Sequence, residues 1–340
     1  MRDPLPVEIV GGGLAGLSAG LALRRAGVPV TVYEAGGYPR HRVCGEFICG
    51  LDGGTRDRLG LREFLADARP HRSVTFHLRG RRLRPMALPA PAWGISRHTL
   101  DARLANAFVA AGGDLRTHTR VSEADSPPGR VFAAGRSRKG PFWVGLKVHV
   151  RNLRLFNDFE VHLGERSYVG LSYVETGAVN VCGIFAQRAL AERGAGLLAA
   201  YLEASGLRAL SQRLLEADAD PSTFCVTAAH LGDRRVALSD RIRIGDACAS
   251  IAPFTGNGLA MALQGAAMAV GPLRAYCRGE AGWGESVRAV AAAQGSRFRR
   301  RLLLASLLHP FFLEPGRQSL LASLVRLRLV PFRALYGALH

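Results

Sequence analysis

A glycine-rich turn near the start of the chain constrains the fold more than any other sequence feature. The apolar segment Val7–Val10 leads directly into a G-x-G-x-x-G pattern made by Gly11, Gly13 and Gly16, and an apolar run up to Ala26 follows. Gly11 suits a tight turn, Gly13 leaves room for a pyrophosphate, and Gly16 lets a helix pack closely on the strand. This order of strand, turn and helix predicts the first unit of a nucleotide-binding α/β sheet.

Two features after the turn also suit a dinucleotide. From about Leu14 and Ala15 onward, the N-terminus of the helix presents unpaired N–H groups, and its positive dipole end favours an anion. The alternating valines of residues 28–34 predict a second strand that ends at Glu34. An acidic residue 18 positions after Gly16 stands where ribose hydroxyls are bound in such units. The whole pattern favours a dinucleotide site over a glycine turn of purely structural use.

Three further segments are predicted to reach the same edge of the sheet. Residues 36–46 form a turn-rich loop in which Arg42 is the best candidate for a diphosphate contact, with a solvated loop as the alternative. Arg97 immediately precedes a helix predicted over residues 99–111, which favours a cofactor contact. The segment after that helix predicts a third strand ending at Val121.

A second glycine-rich turn occurs far along the chain. Residues 241–247 predict a buried strand that ends in Gly-Asp, and residues 253–258 form a turn before an apolar helix. A strand-end aspartate accepts hydrogen bonds from sugar or ribityl hydroxyls, and a helix N-terminus offers N–H donors to a developing negative charge. Both turns are therefore predicted to address one elongated cofactor. The predicted contacts at this second turn are Gly245, Asp246, Gly256, Gly258 and Leu259.

The middle of the chain has a different pattern. Residues 140–225 contain four runs rich in Val, Phe, Tyr and Leu, separated by short polar turns. Successive strands with short turns predict an antiparallel sheet rather than βαβ units. Residues 197–217 predict a helix. We expect this segment to form a layer over the substrate, with plain scaffolding as the alternative.

Composition and charge argue against several other classes of protein. The chain has 340 residues, 48% of them hydrophobic, which is enough for a substantial core. Its net charge of +18 comes almost wholly from scattered arginines, since Lys139 and Lys147 are the only lysines, and dispersion of this kind is typical of a solvated surface. Six cysteines without a C-x-x-C pair or zinc spacing predict free thiols, no metal and a cytoplasmic location.

Residues 288–340 combine basic side chains with leucines. They contain nine arginines and a single acid, Glu314. We expect short basic helices, cut at Pro310, Pro315 and Pro331, that lie on an anionic membrane surface or cover an apolar substrate channel. The alternative is a set of helices packed on the core with their arginines in water.

The two glycine-rich turns together resemble those of FAD proteins of the glutathione-reductase type. More specifically, the chain resembles the p-hydroxybenzoate hydroxylase-like monooxygenases and the geranylgeranyl reductase-like enzymes, and the likeness covers roughly residues 5–275. Residues 39–46, PRHRVCGE, resemble the Arg-x-Cys-Gly segment of the reductase branch.

This resemblance implies a role for each predicted site residue. The first turn and Glu34 are expected to bind the ADP half of FAD, with adenine against the backbone of Val121. Arg97 is expected to approach the flavin, and Asp246 to hold the ribityl chain. The helix that follows residues 253–258 is expected to face N1 and O2 of the isoalloxazine ring.

The departures from these families concern the reaction more than the cofactor. The middle fingerprint of the hydroxylases, usually Asp-Gly, stands here as Ala134-Gly135-Arg136, which weakens the case for a hydroxylase that responds to NAD(P)H. Geranylgeranyl reductases carry Cys-Gly-Gly where this chain has a glutamate, Glu46, at the third position. The chain lacks the early lysine and the Trp-x-Trp-x-x-Pro segment of flavin halogenases, so halogenation is not favoured.

We therefore expect an α/β protein with a Rossmann-like FAD-binding domain, an inserted antiparallel β-sheet substrate domain and a helical C-terminus. The expected function is that of an FAD-dependent monooxygenase of a lipophilic or aromatic small molecule in secondary metabolism, with NAD(P)H as the reductant. The expected domains are residues 1–70, 95–136 and 236–275 for FAD, residues 71–94 and 137–235 for substrate, and residues 276–340 for the basic helical region.

Two rival functions stay open. The first is a flavin-dependent reductase or dehydrogenase acting on an isoprenoid or polyketide double bond. The second is a basic membrane-surface or nucleic-acid-binding protein with a regulatory nucleotide site. For the enzyme we expect no nucleic-acid partner and a reversible contact with the inner face of the membrane. No motif identifies the general base, for which the candidates are Glu46, His77, Tyr168, Tyr173 and His230.

Overall fold

The computed structural model describes residues 4–135, 143–229, 236 and 240–340, and these form two β-sheets. The smaller sheet has five strands, all paired in parallel. They are β1 (Val7–Val10), β2 (Val30–Tyr33), β7 (Asp114–Arg116), β8 (Arg130–Phe132) and β14 (Ile242–Arg243), in the spatial order β14-β8-β1-β2-β7.

The larger sheet has nine strands, and every pair in it is antiparallel except β4 with β10. Its spatial order is β13-β9-β12-β11-β10-β4-β6-β3, with β5 paired to β4. Its strands are β3 (Phe47–Ile48), β4 (Arg69–Leu78), β5 (Arg81–Arg82), β6 (Met86–Gly94), β9 (Trp143–Arg151), β10 (Phe159–Gly164), β11 (Ser167–Tyr173), β12 (Val179–Ala186) and β13 (Asp218–Ala229).

Ten α-helices accompany the sheets within the described residues. They are α1 (Leu14–Arg25), α2 (Gly53–Arg58), α3 (Arg97–Ala110), α4 (Gly196–Ala204), α5 (Arg208–Leu215), α6 (Gly258–Cys277), α7 (Trp283–Leu308), α8 (Pro310–Leu313), α9 (Pro315–Arg326) and α10 (Phe332–Leu339).

Helix α1 is the most deeply buried part of the smaller sheet's layer. Ten consecutive residues, 14–23, are buried, because the helix is apolar or small on every side and contacts the sheet, α3 and α6. Gly27 stops the helix with a φ of 81°, a conformation that glycine adopts without strain. The burial of α1 fixes the position of the glycine-rich turn before it.

The cross-strand register divides the larger sheet into two faces. His149, Asn180 and Ser172 are direct partners across β9, β12 and β11, so their side chains leave the sheet on one side, which we call the inner face. Val148 and Val181 are partners on the opposite side, the outer face. The outer face thus presents apolar side chains where the inner face presents polar ones.

Helices cover much of both faces. On the outer face, Leu198 and Leu202 of α4 and Leu210 of α5 pack against the valines of β9 and β12. On the inner face, Phe312 of α8 and Val325 of α9 pack against the apolar residues of β4 and β10. The polar part of the inner face is crossed instead by the loop that precedes β3.

The C-terminal region is helical and is cut by proline, as predicted. Helix α8 begins at Pro310, α9 begins at Pro315, and Pro331 immediately precedes α10. Helix α7 is longer than the other pieces, at 26 residues, and packs on α6. None of the helices in the described residues is long and apolar enough to span a membrane.

Some local predictions were wrong. The third parallel strand ends at Arg116, well before Val121, because His118 turns the chain with a φ of 54° and donates its N–H to Gly36. Strand β13 was not predicted, because most of its residues are exposed and show no apolar alternation.

The strands also cross one expected domain boundary. Strand β3 and the start of β4 lie within residues 1–70, which were assigned to the FAD domain, yet both pair into the larger sheet. The pairing of Phe47 with Gly94 places this short strand at the sheet's edge. The division into domains stays a prediction.

Candidate active site

The three glycines between β1 and α1 differ in what surrounds them. Gly11 has a φ of 111°, and a Cβ there would stand 2.5 Å from the backbone of Ala133. A Cβ on Gly16 would overlap the carbonyl oxygen of Gly11, so glycine is needed for this close approach of α1 to β1. At Gly13 the nearest atom to a Cβ would be Nη2 of Arg97, at 3.9 Å. The turn is therefore tight on two sides and open at Gly13, where α1 begins.

Glu34 directly follows β2, and its carboxylate already accepts several hydrogen bonds. Its Oε2 accepts the N–H of Gly12 at 3.0 Å, and its Oε1 accepts the N–H of Gly36 at 3.0 Å. Arg40 donates Nη2 to Oε1 at 2.6 Å, and its side chain is 33% exposed. A ribose hydroxyl that binds Glu34 must therefore displace Arg40, which has room to move into solvent.

Two arginines and one aspartate meet beside Gly13. Arg97 forms a two-point ion pair with Asp101, with Nε to Oδ1 at 2.7 Å and Nη2 to Oδ2 at 2.6 Å. Arg42 Nε lies 3.3 Å from Oδ2 of the same aspartate, and Arg42 Nη2 lies 3.6 Å from Oε2 of Glu34. Burial, followed by the charge of Arg97, lowers the pKa of Arg42. One buried carboxylate thus serves two guanidinium groups.

Some buried donors of Arg42 and Arg40 are not hydrogen-bonded within the described residues. Nε and Nη2 of Arg42 and Nε of Arg40 are buried, yet they form no hydrogen bond within the described part of the chain. A buried donor without a partner costs about 1 to 3 kcal/mol. An anion beside Gly13 would accept from these groups and from the first N–H groups of α1, at Leu14 and Ala15. The site therefore fits a diphosphate.

The second glycine turn packs against the first. Gly245 has a φ of 63°, and a Cβ there would stand 2.9 Å from Cβ of Ala15. Asp246 follows in the 3₁₀ turn Gly245–Ala247 and is half-buried. The close approach of Gly245 to α1 therefore places Asp246 beside the N-terminus of that helix.

The N-terminus of α6 is open on one side and covered on the other. Gly256 has a φ of 65° and packs against Phe47, while no atom of the described residues lies within 4 Å of a Cβ built on Gly258. Asn257 donates Nδ2 to the carbonyl of Leu339 in α10 at 2.5 Å, and its buried Oδ1 has no hydrogen-bond partner in the described part of the chain. Leu259 is half-buried in the first turn. Helix α10 therefore sits next to the predicted flavin-side helix terminus.

Val121 lies in a loop near the end of β2. Thr119 donates its N–H to the carbonyl of Glu34 at 2.9 Å, and Val121 follows two residues later, half-buried. The backbone of this loop therefore runs past the carboxylate that was predicted to bind ribose.

Four titratable side chains, here called the inner cluster, meet at the polar part of the inner face. Glu46 Oε2 lies 2.5 Å from Nε2 of His149, and Glu46 Oε1 lies 3.4 Å from Nζ of Lys147. Lys147 Nζ lies 3.0 Å from Nδ1 of His41. Glu46 and Lys147 have no exposed surface. The cluster therefore holds a buried ion pair with an imidazole on each side.

Charge and burial act in opposite directions on this cluster. Burial opposes ionisation of Glu46, but the hydrogen bond from His149 and the charge of Lys147 hold the pKa of Glu46 below its usual value. Burial and the charge of Lys147 lower the pKa of His41 to about 4. His41 is therefore neutral at pH 7, and its Nδ1 accepts a hydrogen bond from Lys147.

The backbone connects the inner cluster to the glycine turn. Arg97 donates its N–H to Oε1 of Glu46 at 3.0 Å, while its guanidinium lies next to Gly13. Asn180 donates Nδ2 to the carbonyl of Cys44 at 3.0 Å, which holds the loop against the sheet. Burial raises the pKa of the Cys44 thiol, so this group is protonated at pH 7.

The other candidate bases are dispersed. Tyr168 lies on the inner face with its hydroxyl 3.3 Å from Nε2 of His309, away from the inner cluster. Tyr173 accepts the N–H of Leu155 and lies on the outer face. His230 lies outside the described residues. Of the four candidates in the described part of the chain, Glu46 is hydrogen-bonded to the segment that lines the turn.

A second group, here called the outer cluster, contains the remaining candidate, His77. Glu160 Oε2 lies 2.8 Å from Nε2 of His162, 3.0 Å from Nη1 of Arg213 and 3.8 Å from Nε2 of His77. Each cluster brings two histidines and a carboxylate within metal-ligand reach of one another. In both, a cationic side chain already contacts the carboxylate, and this balances its charge without an ion.

Three site residues were missed by sequence reasoning. Asp101 is fully buried and stands four positions after Arg97 on α3, a spacing that pairs opposite charges on a helix. Lys147 and His149 alternate with valines on β9, and this pattern places both on one face of a strand. Both signals were present in the sequence, although neither identifies the partner Glu46.

Comparison with known proteins supports the fold. A family model described as an NAD(P)-binding Rossmann-like domain matches residues 9–47, which hold β1, α1, β2 and the loop after them. A comparison with curated protein sequences finds no match.

Solved structures of flavoproteins superpose on almost the whole chain. HpxO of Klebsiella pneumoniae, complexed with FAD and uric acid, has a TM-score of 0.75 and 18% identity, with 98% of this chain and 96% of HpxO covered. PqsL of Pseudomonas aeruginosa, in complex with 2-aminobenzoylacetate, has a TM-score of 0.71 and 13% identity, with 92% and 98% covered. The flavin-dependent brominase Bmp2 has a TM-score of 0.72 and 17% identity, with 98% and 93% covered. The predicted fold class is confirmed.

Proposed function

We propose that this chain is an FAD-dependent oxidoreductase of secondary metabolism, and specifically a monooxygenase of an aromatic or lipophilic small molecule. The observation that carries the proposal is the hydrogen-bonding capacity of Arg42 near the open side of Gly13: its buried Nε and Nη2 form ion pairs with Asp101 and Glu34 at 3.3 and 3.6 Å but no hydrogen bond with the described residues. The diphosphate of FAD is an anion that can accept hydrogen bonds from such groups. The shared fold with FAD-bound HpxO supports the same cofactor.

The proposed FAD site uses both glycine turns. The diphosphate lies against the N-terminus of α1 and Arg42, the adenosine ribose binds Glu34 after Arg40 swings away, and adenine meets the backbone of Val121. Asp246 accepts hydrogen bonds from the ribityl chain, and Arg97 together with the N-terminus of α6 faces the flavin. FAD supplies the redox and oxygen chemistry, while the protein positions it and excludes water. The proposed contacts are Gly11, Gly13, Leu14, Ala15, Gly16, Glu34, Arg42, Arg97, Val121, Gly245, Asp246, Gly256, Gly258 and Leu259.

The inner face of the larger sheet is the proposed substrate layer, within the predicted substrate segments 71–94 and 137–235. Its polar part lies beside the loop that joins the glycine turn, and its apolar part is covered by α8 and α9. HpxO and PqsL were crystallised with uric acid and 2-aminobenzoylacetate. Both molecules have a planar ring, which supports a small aromatic substrate here.

Flavin absorbance tests the cofactor. We expect the purified protein to carry FAD, or to gain its absorbance on incubation, and Gly13→Val to lose it, because a side chain would enter the diphosphate space. Gly196→Val is a matched control at another helix start with open space around the glycine. A colourless wild-type protein that takes up no FAD would contradict the proposal.

Oxygen consumption separates the monooxygenase from the rival reductase. With NAD(P)H, the proposed reductant, and a substrate, a monooxygenase consumes oxygen and transfers one oxygen atom to the product. A reductase of an isoprenoid or polyketide double bond gives a product without added oxygen under the same conditions. Isotope-labelled oxygen followed by mass spectrometry of the product reads out the difference.

We also propose that the C-terminal region makes reversible contact with an anionic membrane surface. Leu303, Leu307, Leu320, Leu327 and Leu329 are each more than half exposed. The arginines around them, Arg299, Arg300, Arg317, Arg326 and Arg328, are exposed as well. A cavity of about 780 Å³ between α7 and α10 is lined by Arg297 and Arg300, which suits an anionic headgroup. Positive charge interleaved with exposed leucines is complementary to an anionic bilayer.

Vesicle co-sedimentation tests this contact. Arg326→Glu/Arg328→Glu should reduce binding to anionic vesicles at low salt, because each basic residue contributes about 1 kcal/mol near such a surface. Arg58→Glu/Arg120→Glu changes the charge equally at exposed sites on the nucleotide-binding half and should bind as wild type does. Arg301 is unsuitable for reversal, because it is buried and donates to Gln264. No preference for anionic vesicles would contradict the contact.

A further inference from the structure

The cavity between α7 and α10 has a basic lining. Arg297, Arg300 and Arg301 line it from two successive turns of α7, and no acidic residue is among the described residues that line it. Its volume of about 780 Å³ falls within the range of small-molecule sites, which is about 300 to 1,000 Å³. The cavity is therefore large enough for a ligand, and its guanidinium groups favour an anion.

Arg301 is the buried member of this group. It is 5% exposed, its Nη1 donates to Oε1 of Gln264 at 2.8 Å, and its Nη2 donates to the carbonyl of His340. Neither acceptor is an acidic side chain, and burial, followed by the charge of Arg297, lowers the pKa of Arg301 to about 10. An anion in the cavity would therefore offset a buried charge that no acidic side chain contacts within the described residues.

Arginines outnumber carboxylates near the cavity. Arg297 Nη2 lies 3.5 Å from Oδ2 of Asp52, which is the one ion pair that these three arginines form with described residues. Asp52 is shared, because it also accepts from the N–H of Thr55 at 2.7 Å and from Nε2 of Gln264 at 3.0 Å. Arg300 is exposed and forms no ion pair or hydrogen bond in the described part of the chain. Its guanidinium is therefore available to a ligand.

An exposed apolar strip begins at the same arginine. Leu303 and Leu307 stand three and seven positions after Arg300, so the three side chains lie on one face of α7. The two leucines are 55% and 62% exposed, and they lie about 5 and 10 Å from Arg300 along the helix axis. A ligand with an anionic end and an apolar chain would fit both parts, with its anion in the cavity and its chain along the leucines.

We propose that the cavity is a headgroup site for an anionic phospholipid with a phosphate monoester, such as phosphatidic acid. The inference rests on the proposed membrane contact and names the lipid that this contact selects. The phosphate accepts hydrogen bonds from Arg300 and Arg301, and the acyl chains lie along Leu303 and Leu307. A phosphate monoester carries a charge of about −1.5 to −2 at pH 7 and three acceptor oxygens, so it satisfies several guanidinium groups better than a diester does.

Calorimetry with a soluble lipid tests the site without a bilayer. The probe is dihexanoyl phosphatidic acid, kept below the concentration at which it forms micelles. We expect it to bind wild-type protein, and dihexanoyl phosphatidylcholine, which has no net charge, to give no binding heat. Inorganic phosphate should bind about tenfold more weakly than the probe or worse, because it lacks the chains that cover the leucines.

Two neighbouring arginines provide a matched pair of variants. Arg299 and Arg300 are both exposed, but only Arg300 of the two lines the cavity. Arg300→Gln should weaken binding of the soluble lipid by about tenfold or more, because it removes a charge-assisted contact. Arg299→Gln removes the same charge from the same helix and should bind as wild type does.

A second pair of variants leaves every arginine in place. Gly337 of α10 lines the cavity, is exposed, and has no described atom within 4 Å of a Cβ built on it. Gly337→Phe should narrow the cavity and weaken binding. Gly316→Phe is the control, since Gly316 is equally exposed and open but lies on α9, away from the cavity.

Vesicles distinguish this inference from the membrane contact on which it rests. At matched surface charge, wild-type protein should prefer vesicles that contain phosphatidic acid to vesicles that contain phosphatidylglycerol, a diester, and Arg300→Gln should lose that preference. Equal binding to both kinds of vesicle, with Arg300→Gln and Arg299→Gln alike, overturns the headgroup site and leaves the membrane contact standing. Soluble-lipid binding that is lost in Arg300→Gln, without any vesicle binding, supports the site and contradicts the membrane contact. Inorganic phosphate that binds as tightly as the soluble lipid overturns the assignment to a lipid.

Discussion

The two faces of the larger sheet each carry a buried glutamate with two histidines, but the two clusters differ in what completes them. On the outer face, Glu160 accepts hydrogen bonds from His162, Arg213 and the N–H of Phe156. On the inner face, Glu46 is bonded to His149, paired with Lys147 and bonded to the N–H of Arg97. In each cluster a glutamate and two histidines are thus accompanied by one cationic side chain, which is an arginine on the outer face and a lysine on the inner face.

The surroundings separate the clusters further. Helix α5 brings Arg213 over the outer cluster, and the guanidinium also stacks near Phe156, which closes that side. The inner cluster is covered by a loop whose Gly45 is exposed, and it adjoins Oδ1 of Asn180, which has no hydrogen-bond partner among the described residues. The carboxylate of the outer cluster is thus surrounded by hydrogen-bond donors, whereas the inner cluster adjoins an amide oxygen without a hydrogen-bond partner among the described residues.

The largest effect that tests this comparison is loss of the outer carboxylate. We expect Glu160→Ala to lower the free energy of unfolding by about 3 to 5 kcal/mol, because it removes one partner of a buried pair and strands the others. The carboxylate side chain is 0% exposed, and Arg213 is 24% exposed. Urea denaturation at pH 7 measures the change.

An exposed pair of the same type provides the control. Glu63 pairs with Arg25 at 2.6 Å, but its side chain is 63% exposed, so Glu63→Ala should cost no more than about 1 kcal/mol. If Glu160→Ala costs as little as Glu63→Ala, the outer cluster does not stabilise the fold, and the contrast between the two faces is wrong.

We expect a substitution in the second glycine turn to change the affinity for FAD, and a substitution in the outer cluster to leave it unchanged. Asp246→Ala removes an acceptor of charge-assisted bonds worth about 1.5 to 3 kcal/mol each, which is about one to two decades in the dissociation constant of FAD per bond. His162→Gln, in the outer cluster, should leave that constant unchanged. Fluorescence titration of the apoprotein with FAD measures both, and equal affinity of Asp246→Ala and wild type would remove Asp246 from the site.

Lowering the pH should reduce the free energy of unfolding, because buried histidines lie next to both faces of the larger sheet. Burial lowers the pKa of His309 from 6.5 to about 4, and that of His77 to about 4 as well. In the unfolded protein a histidine binds its proton near pH 6.5, whereas the buried ring stays neutral down to about pH 4. The stability that the neutral ring contributes is therefore complete above pH 6.5 and is lost as the pH falls toward 4. For His309 the loss at pH 5 is about 2 kcal/mol.

Urea denaturation at pH 7 and pH 5 checks this effect. His309→Gln keeps a polar side chain but cannot titrate, so its drop in stability between the two pH values should be smaller than that of wild type by about 2 kcal/mol. An unchanged drop would mean that His309 is protonated in the folded protein. His77→Gln should reduce the drop in the same direction.

The sequence predicted the fold well where one pattern determines a local structure. The glycine turn, the apolar run of α1 and the prolines of the C-terminal helices each act over a few residues, and the structure agrees with them. Strand β13 was missed, since an exposed edge strand has no apolar alternation to reveal it. The third parallel strand was predicted to continue to Val121, which is too far, because strand propensity does not reveal the turn at His118.

The inner cluster was beyond prediction for a physical reason. Glu46, Lys147 and His41 are separated by up to 106 positions, and their contact depends on how a loop crosses a sheet. Glu46 was one of five candidate bases, but nothing in the sequence selected it. The left-handed backbone at Glu46, with a φ of 51°, turns its side chain toward β9, and no periodicity predicts that conformation.

The smallest expected effect concerns His77 of the outer cluster. Its buried Nε2 has no hydrogen bond with any described residue, and its ring stacks on His162 at 4.2 Å between centroids. His77→Phe keeps an aromatic ring in that stack and removes an unsatisfied polar atom, so we expect a gain of about 1 kcal/mol in the free energy of unfolding at pH 7. His162→Phe, the control, loses a bond to Glu160 and should be less stable. Urea denaturation of both variants decides the sign. A loss in His77→Phe as large as that in His162→Phe would show that His77 also holds Glu160.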